Sequence, residues 1–185
     1  MKSSPWVAAC VAVLHLPAVA DKPPQVARGV AAAAMSGLCN GQEVVMFSCR
    51  VRTDKWVALC ASPELSIASG YLQYRFGKPN ALDFEFPLER DDSSRMRFSY
   101  SRYTRAHVTK ITVSFEREGR TYTLFDDRDS EFGRAQRLQG VRVKRTDSIT
   151  PDRPLVCEAS TVNRLMTLEP ILPCDENVGV GGCRH

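Results

Sequence analysis

Histidine is scarce: the chain has three in 185 residues, and only His107 and His185 lie beyond the first twenty positions. A hydrolase of the Ser-His-Asp or Cys-His kind needs a histidine as its general base, and no serine here sits in a G-x-S-x-G turn. Beyond the amino-terminal segment no apolar run approaches the roughly 18 residues of a membrane-spanning helix. Charge of one sign is lacking too. The formal net charge is +4, spread along the chain, which argues against a nucleic-acid binder. Internal repeats and long low-complexity segments are absent. With 43% hydrophobic and 25% charged residues, 11 Gly and 11 Pro, the composition is that of one globular domain with an ordinary core.

What is present begins with a leader. Lys2 is followed by an apolar run from Trp6 to Ala20, then Ala18-Val19-Ala20 before Asp21-Lys22, the pattern of a cleaved secretory signal over residues 1–20. Val7-Ala8-Ala9-Cys10 has the look of a lipoprotein box, but too few residues precede Cys10 for the charged and apolar regions such a signal needs. Residues 21–38, with Pro23-Pro24 and no strand alternation, read as a flexible tether, and residues 39–185 as a single disulfide-braced domain. Removing the leader removes Lys2, leaving 24 basic against 21 acidic residues, a charge of +3.

Six of the seven cysteines then remain: Cys39, Cys49, Cys60, Cys157, Cys174 and Cys183. An even number in an exported chain predicts disulfides, with 15 connectivities open. A turn at Asp54-Lys55 would set Cys49 opposite Cys60 on one face of a hairpin, so these two are expected to pair. One of Cys157, Cys174 and Cys183 is expected to reach back to Cys39. A zinc site from Cys174, Cys183 and His185 lacks a CxxC knuckle and would need free thiols in an oxidising compartment.

Period-two alternation dominates from Val44 to Lys144. A second hairpin, with a five-residue loop over Gly77 to Ala81, pairs Phe76 with Leu82, Tyr74 with Phe84 and Leu72 with Phe86. A third turns at Glu118-Gly119, pairing Phe115 with Tyr122 and Val113 with Leu124. Arg95 to Tyr100 and Gln139 to Lys144 read as further strands, the first with Met96, Phe98 and Tyr100 inward. Thr161 to Leu168 reads as a short helix capped by Ser160 and stopped by Pro170. The fold class is all-β and mainly antiparallel: a small barrel or curved meander of about seven or eight strands with one short carboxyl-terminal helix, or alternatively a β-sandwich.

Two constellations could carry chemistry. Asp126, Asp127, Asp129 and Glu131 form an acidic cluster, expected to be a solvated loop. It fits an EF-hand calcium loop poorly, since Gly133 comes one place late, and it could supply one acid of a glycosidase pair. Arg95, Arg97, Arg102, Tyr103 and Arg105 are the candidate partner-binding surface. Arg95 and Arg97 would lie on a solvent-facing strand, with the rest in the loop after it, where planar guanidinium groups suit carboxylates, sulfates and phosphates.

In Phe47-Ser48-Cys49, Leu59-Cys60-Ala61-Ser62, Tyr71-Leu72-Gln73-Tyr74-Arg75-Phe76-Gly77 and Leu172-Pro173-Cys174-Asp175 the chain resembles a family of small exported proteobacterial proteins. That family has no settled activity, so the resemblance transfers no functional residue. In size, leader, cysteines and strand content it is also similar, in architecture only, to periplasmic lysozyme inhibitors and immunity proteins. The expected function is an exported, non-enzymatic binding module without a cofactor or metal, acting in the periplasm or outside the cell. Its partner would be a protein, such as a secreted or cell-wall hydrolase, or an anionic glycan, and not nucleic acid. A carboxylate-based envelope hydrolase and a structural envelope protein are the alternatives. Oligomeric state is not legible.

Overall fold

A computed structural model describes residues 37–149, 153–158 and 162–176. The leader, nearly all of the tether, Ser160 and Cys183 therefore lie outside the described residues. Alternating strands with tight turns build ten β-strands: β1 (Val44–Val51), β2 (Lys55–Ala61), β3 (Leu72–Lys78), β4 (Ala81–Phe86), β5 (Phe98–Arg105), β6 (Val108–Arg117), β7 (Arg120–Asp129), β8 (Gln136–Arg145), β9 (Leu155–Val156) and β10 (Val162–Asn163). They form two antiparallel five-stranded sheets, β10-β1-β2-β3-β4 and β5-β6-β7-β8-β9. All-β and mainly antiparallel is correct: sequential strands pair as meanders within two sheets that pack as a sandwich, and the sheets do not close into a barrel. The apolar halves of the strands meet between them. Phe47, Cys49, Val57, Leu59, Leu72, Tyr74 and Phe86 of the first sheet pack with Phe98, Ile111, Val113, Phe115, Leu124 and Val141 of the second. Phe115 is the aromatic hub, 4.7 Å from Phe86 and 4.8 Å from Tyr122 between ring centroids.

The β6–β7 hairpin has the expected register, Phe115 opposite Tyr122 and Val113 opposite Leu124. Glu118 and Gly119 both take positive φ, as a two-residue hairpin turn demands. The β3–β4 hairpin is tighter than expected, pairing Tyr74 with Phe86, Arg75 with Glu85 and Phe76 with Phe84, with a register shift at Phe76/Gly77. A slip of two residues keeps every side chain on its face, so the core assignment survives, although Leu82 is left 46% exposed.

The β1–β2 hairpin overturns the Cys49–Cys60 pairing. The turn is Arg52-Thr53-Asp54, and Cys49 lies opposite Val57 while Cys60 lies opposite Val45. That difference is an odd number of residues, which puts the two cysteines on opposite faces of the sheet. Cys49 belongs to the main core and Cys60 to a second, outer cluster with Leu38, Cys39 and Ala58. The disulfides between described residues are Cys39–Cys60 and Cys49–Cys157. Cys39 is therefore tied to β2 and not to a carboxyl-terminal cysteine. Cys174 is disulfide-bonded as well.

The short helix expected over Thr161 to Leu168 is a 3-10 helix confined to Leu165–Leu168, with Leu165 and Leu168 buried and Met166 43% exposed, and it follows β10, which pairs with β1. Residues 94–97 are also a 3-10 turn and not a strand, leaving Met96 56% exposed. The carboxyl-terminal part covers the edges at β1, β5 and β8, while β4 remains an edge strand. Cys157 bridges to Val51, and the backbone of Pro173 to Asp175 pairs with Tyr100 on β5. Covered edges offer few free backbone groups to another chain.

Candidate functional site

The outer faces of the two sheets differ. That of the first is roofed by residues 38–43. Arg75 lies beneath them, 3% exposed. It donates from Nη1 to Glu43 Oε2 and from Nη2 to Glu43 Oε1, each 2.7 Å, and from Nη1 to the Leu38 carbonyl at 2.8 Å. Glu85, Gln73 and Arg90 extend the network. Burial would raise the Glu43 carboxyl, but hydrogen bonds from Arg75, the Asn40 amide and Tyr71 hold it below the ordinary glutamate value. Cys39, Glu43 and Cys60 approach within metal-binding distance of one another. The two sulfurs are a disulfide, however, and Glu43 is saturated by Arg75, so the cluster is structural and not a cation site.

The acidic cluster is not a loop, since β7 runs through Asp129. Asp126 faces inward and is 1% exposed, accepting from Arg137 Nε at 2.8 Å and Nη2 at 2.9 Å, and from Arg128 at 3.2 Å. Burial would raise its carboxyl, but the bonds and charge of Arg137 with the charge of Arg128 hold it low. Asp127 pairs with Arg142 and Glu131 with Arg105. A carboxylate held ionised by two guanidiniums is a poor proton donor.

The basic surface is dispersed. Arg95 bonds the carbonyls of Asp92 and Ile67. Arg102 is on β5, not in a loop; it points to the core side and pairs with Glu169 at 3.0 Å. Tyr103 and Arg105, also on β5, project from the opposite face. Neither Arg95 nor Arg97 has an ion pair among the described residues; Arg97 lies with its guanidinium over the Phe86 ring at 5.5 Å.

Arg97 instead joins residues that the sequence did not single out. The outer face of the second sheet carries no roof among the described residues. Register places Ser99, Ser114, Thr123 and Arg142 in one row across four strands, and Glu116, Thr121 and Lys144 in the next, with Arg97 just beyond Glu116. A groove of about 950 Å³ runs over these rows, walled by Met96, Pro173, Asp175 and Thr146. Its volume is at the upper end of ligand sites, roughly 300–1,000 Å³. Lys144, half-buried, has no ion-pair partner among the described residues. Arg142 stacks on Phe125 at 3.6 Å and pairs with Asp127, so it is already engaged. Ser99 donates to Asp175 at 3.1 Å and Thr121 to Glu116 at 3.4 Å. The signal was present in the strand pattern: the polar halves of β5, β6 and β7 near this end carry short hydroxyls more than long charged chains.

No family model, curated protein or solved structure matches the chain. Among the described residues no helix is long and apolar enough to cross a membrane.

Proposed function

We propose that this protein is an exported, non-enzymatic binding module of the periplasm or cell exterior, holding its ligand across the open face of the second sheet. The observation that carries the reading is a groove left uncovered by the described residues, with two cations, Arg97 and Lys144, that have no counter-ion among them. Most other charges in the candidate sites are neutralised internally, as at Arg75–Glu43, Asp126–Arg137 and Arg105–Glu131. Unpaired cations beside hydroxyls in a concavity favour a ligand over mere solubility. The disulfides fit an oxidising compartment and a rigid scaffold. A carboxylate hydrolase is disfavoured, because each acid of the cluster except Asp129 is tied to an arginine.

The test is capture from periplasmic extract and released envelope glycans by the immobilised protein and by an Arg97→Ala/Lys144→Ala variant. Wild type is expected to retain a component that the variant loses; equal recovery by both would remove the groove from consideration.

The inhibitor reading has one feature of its own. A groove receives a chain, whereas blocking a hydrolase cleft needs a protrusion, and Phe132 at the β7–β8 turn is 93% exposed. An aromatic anchor on a loop tip suits a partner pocket. Under that reading Phe132→Ala, and not the groove variant, abolishes inhibition of cell-wall hydrolases; if neither variant alters it, the inhibitor role falls.

A further inference from the structure

Resting on the groove as the binding site, we infer that its ligand is an acidic saccharide, a sugar chain bearing carboxylate or other anionic substituents. The lining combines the two kinds of group such a ligand requires. Arg97 and Lys144, at opposite sides of the four-stranded face, are cations without ion pairs among the described residues, suited to anionic substituents on different parts of one ligand. Between them Ser99, Ser114, Thr121 and Thr123 offer hydroxyls, and Glu116 and Asp175 offer carboxylates that accept from sugar hydroxyls. The two carboxylates call for a ligand whose charges are spaced among hydroxyls, as on a sugar chain, so the site is not a general phosphate-binding surface.

Other occupants match less well. A peptide strand docks through free backbone N–H and C=O groups at a sheet edge, whereas this site is a sheet face lined by side chains. Protein interfaces centre on exposed aromatic anchors, yet Phe98 and Phe115 reach the groove only from below, 1% and 2% exposed. Single-stranded nucleic acid needs stacking platforms, and the described groove lining has no exposed ring.

The experiment is calorimetric titration of the mature protein with oligogalacturonate, oligomannuronate and hyaluronan tetrasaccharides, a neutral galactose tetrasaccharide, and tetraglutamate. At least one acidic saccharide is expected to bind tenfold or more tighter than both the neutral sugar and the peptide, and to weaken as salt rises. Arg97→Ala and Lys144→Ala are each expected to cost about tenfold, the low end for a hydrogen bond to a charged group, with unchanged circular dichroism. Ser114→Ala/Thr123→Ala tests the hydroxyl row separately and is expected to weaken the saccharide while leaving any tetraglutamate signal alone. Equal binding of tetraglutamate, equal binding of the neutral sugar, or no binding of any acidic saccharide overturns the inference. If envelope capture still depends on Arg97 and Lys144 in that case, the binding module stands and only the ligand class is lost.

Discussion

Arg75 and Glu43 show what one buried pair asks of its surroundings. Their side chains are 4% and 1% exposed, so each charge has lost its water and depends on the other, Arg75 also on Glu85 and Gln73 and Glu43 also on the Asn40 amide and the Tyr71 hydroxyl. Removing one partner of a buried pair costs about 3–5 kcal/mol, because the remaining charge is left uncompensated. Glu43→Gln should fall at the lower end, since Glu85 still contacts Arg75; the urea midpoint reads it. The pH dependence follows from the same group. Folding lowers the carboxyls of Glu43 and Asp126 below their ordinary values. Near pH 4 the unfolded chain thus binds more protons than the folded one, and stability rises with pH there. Stability should be level above about pH 6, fall as pH drops through the ordinary carboxylate range near ~4, and keep falling until the folded-state carboxyls are protonated. Glu43→Gln should flatten part of that slope in chemical denaturation at stepped pH; an unchanged slope would show that the Glu43 carboxyl does not carry it.

Among the elements, β8 and β9 are held by a contact no larger residue could share. Gly140 has φ +156°, and a Cβ there would meet the Leu155 carbonyl oxygen at 2.1 Å, a backbone atom that cannot swing aside. Gly140→Ala is expected to displace β9 and cost at least ~1–3 kcal/mol, the range for overpacking, with amide exchange rising first at Val156 and Cys157; protection unchanged there would refute it. The β1–β2 hairpin shows where element-level reading stops. Alternation identifies both strands, but the pairing also depends on which residues turn and on the register shift between Val45 and Phe47. Neither leaves a mark in hydrophobic pattern. An error of three residues in register then reverses the face of one strand, and with it the disulfide partner.

At the scale of the whole molecule, Cys39–Cys60 and Cys49–Cys157 do different work. Cys39–Cys60 closes 21 residues of chain and pins the roof over Arg75, whereas Cys49–Cys157 spans 108 residues and joins the first sheet to the segment leaving β9. The loop-closure model gives about 3 kcal/mol for a 15-residue loop and about 4.7 for one of 100. Cys49→Ala/Cys157→Ala should therefore destabilise more than Cys39→Ala/Cys60→Ala, measured by denaturant midpoint. Peptide mapping without reduction should yield the 39–60 and 49–157 links. A 49–60 link would contradict the observed register.

Cysteine content, alternation and turn residues already determine an all-β, disulfide-bonded chain and the register of its β6–β7 hairpin, because period-two burial and tight turns are local properties. The tertiary structure alone decided the rest: which cysteines meet, that two sheets stack without closing, and that Ser99, Ser114, Thr123 and Lys144 share a face with Arg97. Those facts depend on pairings between strands far apart in sequence, and local chemistry is compatible with several of them. Arg95, Arg97, Arg102 and Arg105, close in sequence, do not form one surface: Arg95 and Arg97 precede β5 in a 3-10 turn, and Arg102 and Arg105, an odd number of residues apart on β5, point to opposite faces.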